Sequence, residues 1–352
     1  MTEWQEVGGV GALALALSLV FVPMARRGAL HLQMTDRPGA GKAHKVTTPY
    51  LGGVAVAVAV LLGAAVNGSW KGQAAAILAA ALLVACIGLV DDVRTATPIV
   101  RLAVETVAAV IAFSAGARVE LLGGPGDLVL TVLWLVVLTN AYNLLDNMDA
   151  CASLMVATSA TALLVAAVLN DQVLVATLAV AVVGGAAGFL VYNWHPARII
   201  LGDAGSLFLG FLVSAIALKL RFPAPSGTGL LAVVLVAAPA LFDTTLVVIS
   251  RSLAGRSIYV GGTDHTSHRL VALGLTPHQV ALILAAVSAA GGVLGIAVGQ
   301  GLVEPWAVLA PSAVLGPCLL AVLLRMPIYG DGDGVGVGVG RAVPVAPVRL
   351  SR

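Results

Sequence analysis

Charge is scarce in this sequence. Asp, Glu, Lys and Arg supply 10% of its 352 residues, where a soluble domain carries about 25%, so a soluble globular chain is excluded. Aromatic residues make up only 5%, and there are three cysteines, Cys86, Cys151 and Cys318. These sit in or beside apolar segments without metal-type spacing, which leaves neither a disulfide frame nor a zinc site. The formal net charge of +2 is too small to argue for a nucleic-acid partner. The N-terminus lacks a basic stretch and a cleavage site, so the first apolar run reads as a retained span rather than a signal peptide. What is abundant is hydrophobic: 59% of the residues, with a mean hydropathy of +1.02.

A transmembrane helix needs about 20 apolar residues. Eleven runs approach that length, at about 8–25, 51–66, 74–90, 98–115, 128–145, 153–169, 172–193, 205–220, 228–250, 278–298 and 306–324. The second is short and Gly-rich, which gives 10–11 spans. The expected fold class is an all-α integral membrane protein, a polytopic bundle of about 11 transmembrane helices. An odd number puts the termini on opposite sides, and the basic residues decide which way round. Of nineteen Lys and Arg, fifteen fall on one side and four, Lys71, Arg118, Lys219 and Arg221, on the other. That predicts an N-terminus outside and a C-terminus in the cytoplasm. Residues 1–327 form one membrane domain on this reading, and the Gly-, Val- and Pro-rich stretch 328–352 a disordered cytoplasmic tail.

The acids sort by the same topology. Asp36, Asp91, Asp92, Asp146, Asp149, Asp203 and Asp264 fall on cytoplasmic loops or helix ends, with Asp243 just inside the ninth span. Polar chemistry converging on one membrane face suits an active site there. A transport path needs polar groups near mid-membrane as well, and only Glu105 and Asp243 are placed for that.

Five stretches carry the chemistry. "GLVDDVRTATP" sets Asp91 and Asp92 at the inner end of the third span; adjacent carboxylates suit a hard divalent cation, although a solvated helix end is the bland alternative. In "NAYNLLDNMD", Asn140, Asn143 and Asp146 step by three and share a helical face, with Asp149 just past the helix end. Amides and carboxylates together hold sugar hydroxyls, a uracil edge or a metal's water shell, or else they cap the helix. "NWHPARIILGDAGSLFLG" puts Asp203 between glycines, with Ser206 opening the next helix, whose positive end favours an anion. "GGTDHTSHRL" supplies His265, His268 and Arg269, a set suited to phosphate or a leaving group; zinc is a weak reading without a further ligand. "DRPGAGKAHKVTTPYLGG" offers Lys42, His44 and Lys45 as a basic cluster for an anionic head group.

In this order and on one face, the five motifs resemble the polyprenyl-phosphate N-acetylhexosamine-1-phosphate transferase family over about residues 36 to 275. "FDTTLVVISR" with Asp243, and "HTSHRL", look closer to the UDP-N-acetylglucosamine branch than to the phospho-N-acetylmuramoyl-pentapeptide transferases. The resemblance implies transfer of a sugar-1-phosphate from a UDP-sugar to undecaprenyl or decaprenyl phosphate, with release of UMP, at the start of cell-envelope glycan synthesis. It also implies a bacterial plasma-membrane location, a cytoplasmic active site, magnesium (or manganese) as cofactor, and a homodimer as the assembly to test. Asp203 would ligate the metal, with Asp91, Asp92 and Asn143 near it. Asn140, Asn143, Asp146, Asp149, Asn193, Ser206 and Asp243 would line the donor pocket. His265, His268 and Arg269 would hold the diphosphate, and Lys42, His44 and Lys45 a substrate head group.

One stretch departs from the family pattern Asp-Gly-x-Asp-Gly-Leu. This chain reads "DNMDAC", so Asn147 and Ala150 replace the glycines and Cys151 the leucine. Asn tolerates unusual backbone angles and Ala does not, so the local turn is expected to differ, which bears on the donor sugar more than on the reaction class. The muramoyl-pentapeptide branch, a transporter or flippase, and an inactive scaffold are the competing readings. A CDP-alcohol phosphotransferase would need a different Asp, Gly and Arg pattern, which is absent.

Overall fold

A computed structural model describes residues 3–36, 48–66, 72–326 and 328. Among them are twelve helices: α1 (Glu3–His31), α2 (Gly52–Ala65), α3 (Gly72–Val93), α4 (Pro98–Ser114), α5 (Gly124–Leu144), α6 (Cys151–Leu169), α7 (Val173–Asn193), α8 (Gly202–Lys219), α9 (Ser226–Leu253), α10 (Thr266–Ala272), α11 (Pro277–Gly299) and α12 (Pro305–Leu324). Two strands, β1 (Thr35–Asp36) and β2 (Thr48–Pro49), pair antiparallel. Nine helices are long and apolar enough to cross a membrane. The others are α2, α4 and α10, of 14, 17 and 7 residues. Each of the eleven apolar runs coincides with a helix, and the chain is an all-α multi-pass membrane protein. The short α10 was not expected. The basic loop with Lys42, His44 and Lys45 lies outside the described residues, as does the tail apart from residue 328.

Successive spans alternate in direction, which the polar ties at each end make plain. At one end Lys219, closing α8, donates to Gln73 at the start of α3 and to the Ala115 carbonyl after α4, while Gln172 and Arg221 exchange hydrogen bonds. The opposite end gathers the close of α1, α3, α5 and α7 and the opening of α2, α4, α6 and α8. All the acids discussed below lie there.

Helix α8 runs through the middle of the bundle, buried along almost its whole length. In hydrocarbon no hydrophobic force separates helix from lipid, so close approach depends on small residues. Gly53 of α2 and Gly88 of α3 serve that end. A Cβ on Gly53 would lie 2.1 Å from the Gly205 nitrogen, and one on Gly88 would lie 2.4 Å from the Asp203 carbonyl oxygen. Both contacts are backbone, so neither can yield cheaply, and both bring a helix against the first turn of α8. The ribbon adds a third neighbour: the Ile200 amide donates to Pro49 at 3.0 Å and the Tyr50 amide to Met34 at 3.0 Å. This fixes Asp36 and Tyr50 beside the turn before α8. Helix α12 stands outermost, with only Val308 and Leu323 buried.

Candidate active site

The first amides of a helix have no partner within it and carry the positive end of its dipole. In α8 a neighbouring helix satisfies them. Asp92, in the last turn of α3, accepts from the Asp203 amide at 2.8 Å and the Ala204 amide at 3.0 Å. Asp146 accepts from the Gly202 amide at 3.2 Å. Asn143, in the last turn of α5, donates to Asp203 Oδ1 at 2.6 Å and to Ser206 Oγ at 2.8 Å. One face of α5 and one end of α3 are thus tied to the opening of α8.

Asp91, beside Asp203, accepts from the Ala96 amide at 2.7 Å and pairs with Arg101 of α4 at 3.3 Å. Arg101 also donates to Asn140 Oδ1 at 2.8 Å, and Asn140 in turn donates to Glu105 Oε2 at 2.6 Å. Glu105 is fully buried, with its other oxygen 3.7 Å from the Arg101 guanidinium. Asn140 therefore anchors Arg101 beside the acids and does not face the open pocket.

The turn from α5 to α6 is built on Asn193. Its Oδ1 accepts from the Ala150 amide at 3.0 Å and Ser153 Oγ at 3.1 Å, while Nδ2 donates to the Ile199 carbonyl at 3.1 Å. Ala150 is held in the left-handed region, at φ 65°. The turn that glycine would make most easily is therefore kept, contrary to the expectation that it changes. Asp149 accepts from the Ala197 amide at 3.0 Å and meets His195 Nδ1 at 2.7 Å.

Some of these groups line a cavity of about 400 Å³, whose wall includes Asp36, Tyr50, Asp91, Asp92, Asp146, Asp149, Asn193 and Asp203; Asn143 and Ser206 are not among its lining residues. So many carboxylates oppose one another's charge. Burial, with Asp203 and Asp92 adding repulsion, pushes Asp146 well above the usual carboxylate range. Burial and the facing Asp36 likewise raise the Tyr50 phenol, keeping it protonated. The carboxylates on this wall offer hard oxygens, the chemistry magnesium and manganese prefer. Among the described residues no three His, Cys, Asp or Glu side chains form a ready metal cage. Magnesium usually keeps several waters and takes one or two carboxylates, and Asp203 lying against Asp91 is such a pair. The residues fit the ion.

The histidine loop forms a second cluster. Asp243 of α9 is buried and accepts from the Thr266 amide at 2.7 Å, with His265 Nδ1 at 2.8 Å. It anchors α10 and does not line the cavity. Arg251 and Asp264 make a buried bidentate pair at 2.7 and 2.9 Å. Arg269 corrects the expectation of a phosphate ligand. It is fully buried, and its guanidinium donates to the Asp264, Leu323 and Met326 carbonyls and to Ser250 Oγ, tying α10 to α9 and α12. His268 is only partly buried; burial, reinforced by His265, pushes its imidazole down to about 4. Asn147 joins this cluster to the acidic turn, accepting from Ser267 Oγ at 2.5 Å.

Tyr50, Arg101, Asn147 and His195 are the site residues that sequence reasoning missed. Arg101 and Glu105, four apart on an otherwise apolar helix, were the available signal. Tyr50 and His195 lie within stretches already singled out, but no spacing marks them as site residues; His195 meets Asp149 across 46 residues.

Residues 74–221 match the family model of glycosyl transferase family 4. A putative glycosyltransferase of Streptomyces coelicolor is 35% identical over 343 residues, covering 93% of this chain and 78% of that protein. A probable undecaprenyl-phosphate N-acetylglucosaminyl 1-phosphate transferase of Bacillus subtilis is 29% identical over 283 residues, with 77% and 79% covered. A decaprenyl-phosphate N-acetylglucosaminephosphotransferase of Mycolicibacterium smegmatis is 28% identical over 321 residues, with 80% and 79% covered. The matched region holds the acid pair, the α5 motif and the Gly-Asp-Ala-Gly-Ser turn that build the cavity, and the chain belongs to glycosyl transferase family 4.

Proposed function

We propose that this protein transfers N-acetylglucosamine-1-phosphate, or a related N-acetylhexosamine-1-phosphate, from a UDP-sugar to a polyprenyl phosphate in a bacterial plasma membrane, with its site on the cytoplasmic face. The observation that carries this reading is the carboxylate-rich cavity at the opening of α8, built from four separate motifs at one end of the bundle. The names of the relatives support the acceptor class and the transferred N-acetylglucosamine phosphate. The fifteen-to-four bias of basic residues supports the sidedness.

An oxygen of the lipid phosphate attacks the β-phosphorus of the donor. The bond from that phosphorus to the oxygen bridging the two phosphates breaks, and UMP leaves with the bridging oxygen. Two anions must meet, so positive charge is required. Magnesium, when bound by Asp203 with Asp91 and Asn143 beside it, supplies charge neutralisation between the substrates. Arg101, held beside Asp91 by Asn140 and Glu105, adds a fixed cation. Asp92 caps α8 and fixes the Asp203 backbone. A phosphate monoester has a second pKa of about 6, so the acceptor arrives largely deprotonated and needs no strong base. The partly buried interface end of the bundle lets the prenyl chain stay in lipid while the soluble donor enters from water.

The test is UMP release by the purified full chain, given polyprenyl phosphate and a panel of UDP-sugars, with magnesium or with chelator. Release with one donor, abolished by chelator and reduced at least a hundredfold in Asp203→Asn, is expected for loss of a charge-stabilising group. Folded protein that releases no UMP with any donor would sink the proposal.

A further inference from the structure

Asn147 stands where the family pattern has glycine, and its side chain determines where protons sit on its neighbours. Its Nδ2 lies 2.7 Å from the Leu144 carbonyl oxygen. A carbonyl only accepts, so the NH2 end of the amide must face it. The Oδ1 end therefore faces Ser267 Oγ, at 2.5 Å. An amide oxygen cannot donate, so the single Ser267 proton goes to Asn147. Ser267 Oγ then has only lone pairs to offer His268 Nδ1, 3.3 Å away. A neutral imidazole in that position carries its proton on Nδ1 and leaves a lone pair on Nε2. Nε2 has no hydrogen-bond partner among the described residues.

The charges around His268 agree with a neutral ring. His265 lies 6.0 Å away between ring centroids, and Asp243 of α9 and Asp264 of the preceding loop also face it. Asp243 is engaged by His265 and Thr266, and Asp264 by Arg251. Burial and His265 outweigh both carboxylates and keep His268 unprotonated near neutral pH.

We propose that Asn147 is a positioning residue that, through the Ser267 hydroxyl, fixes His268 as its Nδ1–H tautomer and so presents Nε2 as a hydrogen-bond acceptor. An acceptor nitrogen repels a phosphate oxygen and takes an N–H or O–H group. His268 in this form suits a hydroxyl, amide or imide proton of the donor and not its diphosphate. This last step rests on the proposed transferase activity; the tautomer does not. With glycine at 147 the Ser267 hydroxyl is free to turn and donate to Nδ1, which moves the imidazole proton to Nε2 and leaves a donor facing a donor.

The experiment is nitrogen NMR of the full chain in lipid nanodiscs with 15N-labelled histidine. The His268 signals are assigned by their loss in His268→Gln. At neutral pH the expected record is a protonated-type Nδ1 and an unprotonated-type Nε2. Asn147→Gly should move the population toward the Nε2–H form, and Ser267→Ala should do the same from the other side. Asn147→Asp, which keeps an acceptor oxygen toward Ser267, should retain the native tautomer. In steady-state UMP release the wrong tautomer should raise the donor KM about tenfold, the effect of a mispaired polar contact, with the acceptor KM unchanged. An Nε2–H signal in the native protein, or a tautomer unaltered by both Asn147→Gly and Ser267→Ala, overturns the proposal. The NMR record needs no substrate, so it stands or falls separately from the transferase reading.

Discussion

Ala150 adopts a left-handed backbone at φ 65°, held by the Asn193 side chain on its amide. An L-residue with a Cβ is about 1–2 kcal/mol worse there than glycine. Ala150→Gly should therefore raise stability by about 1 kcal/mol, read as a higher Tm in detergent. An unchanged or lower Tm would mean that the strain is relieved in a way the backbone angles do not show. His268 makes the second prediction at this scale. Its pKa falls from 6.5 unfolded to about 4 folded, so the folded state binds the proton less readily. Its contribution to stability is complete above about 6.5 and is lost as pH falls toward about 4. His268→Gln should flatten the Tm–pH curve across that window, and an identical curve would refute the shift.

Helix α10 has seven residues, too few to hold together alone. Asp243 fixes its first turn, Arg269 ties it to α9 and α12, and the Arg251–Asp264 pair closes the loop that leads into it. That pair is almost wholly buried. Removing one partner strands a charge in a dry interior, at a cost of about 3–5 kcal/mol. Asp264→Ala should lower stability by that amount in thermal or denaturant unfolding, far beyond a surface substitution. A loss under about 1 kcal/mol would show that water reaches Arg251.

Across the whole molecule, helices alternate so that the cavity's acids gather at one end and Lys219, Arg221 and Gln172 at the other. The fifteen-to-four bias of basic residues is the ground on which we propose that the acidic end faces the cytoplasm. With the native cysteines replaced, Ser257→Cys near the acidic end should resist an impermeant maleimide in intact cells and react once the membrane is opened. Ser226→Cys at the far end, exposed like Ser257, should react in both states. The reverse pattern would invert the topology and place the cavity outside.

The sequence by itself determined the helices and the acidic stretches that meet at one end of the bundle. Runs of about 20 apolar residues have few other stable states, because a lipid-embedded backbone must satisfy its own hydrogen bonds. The acid pair, the Asn143–Asp146 spacing and the turn at Asp203 were legible because helical periodicity is local. What those groups do to one another was decided by tertiary structure alone. Asp92 caps α8 across 111 residues, Asn147 reaches Ser267 across 120, and Arg269 turns into the protein, away from the cavity. Such pairings depend on how closely helices approach, which here rests on glycines packed against the backbone of α8. Local spacing carries no information about that distance.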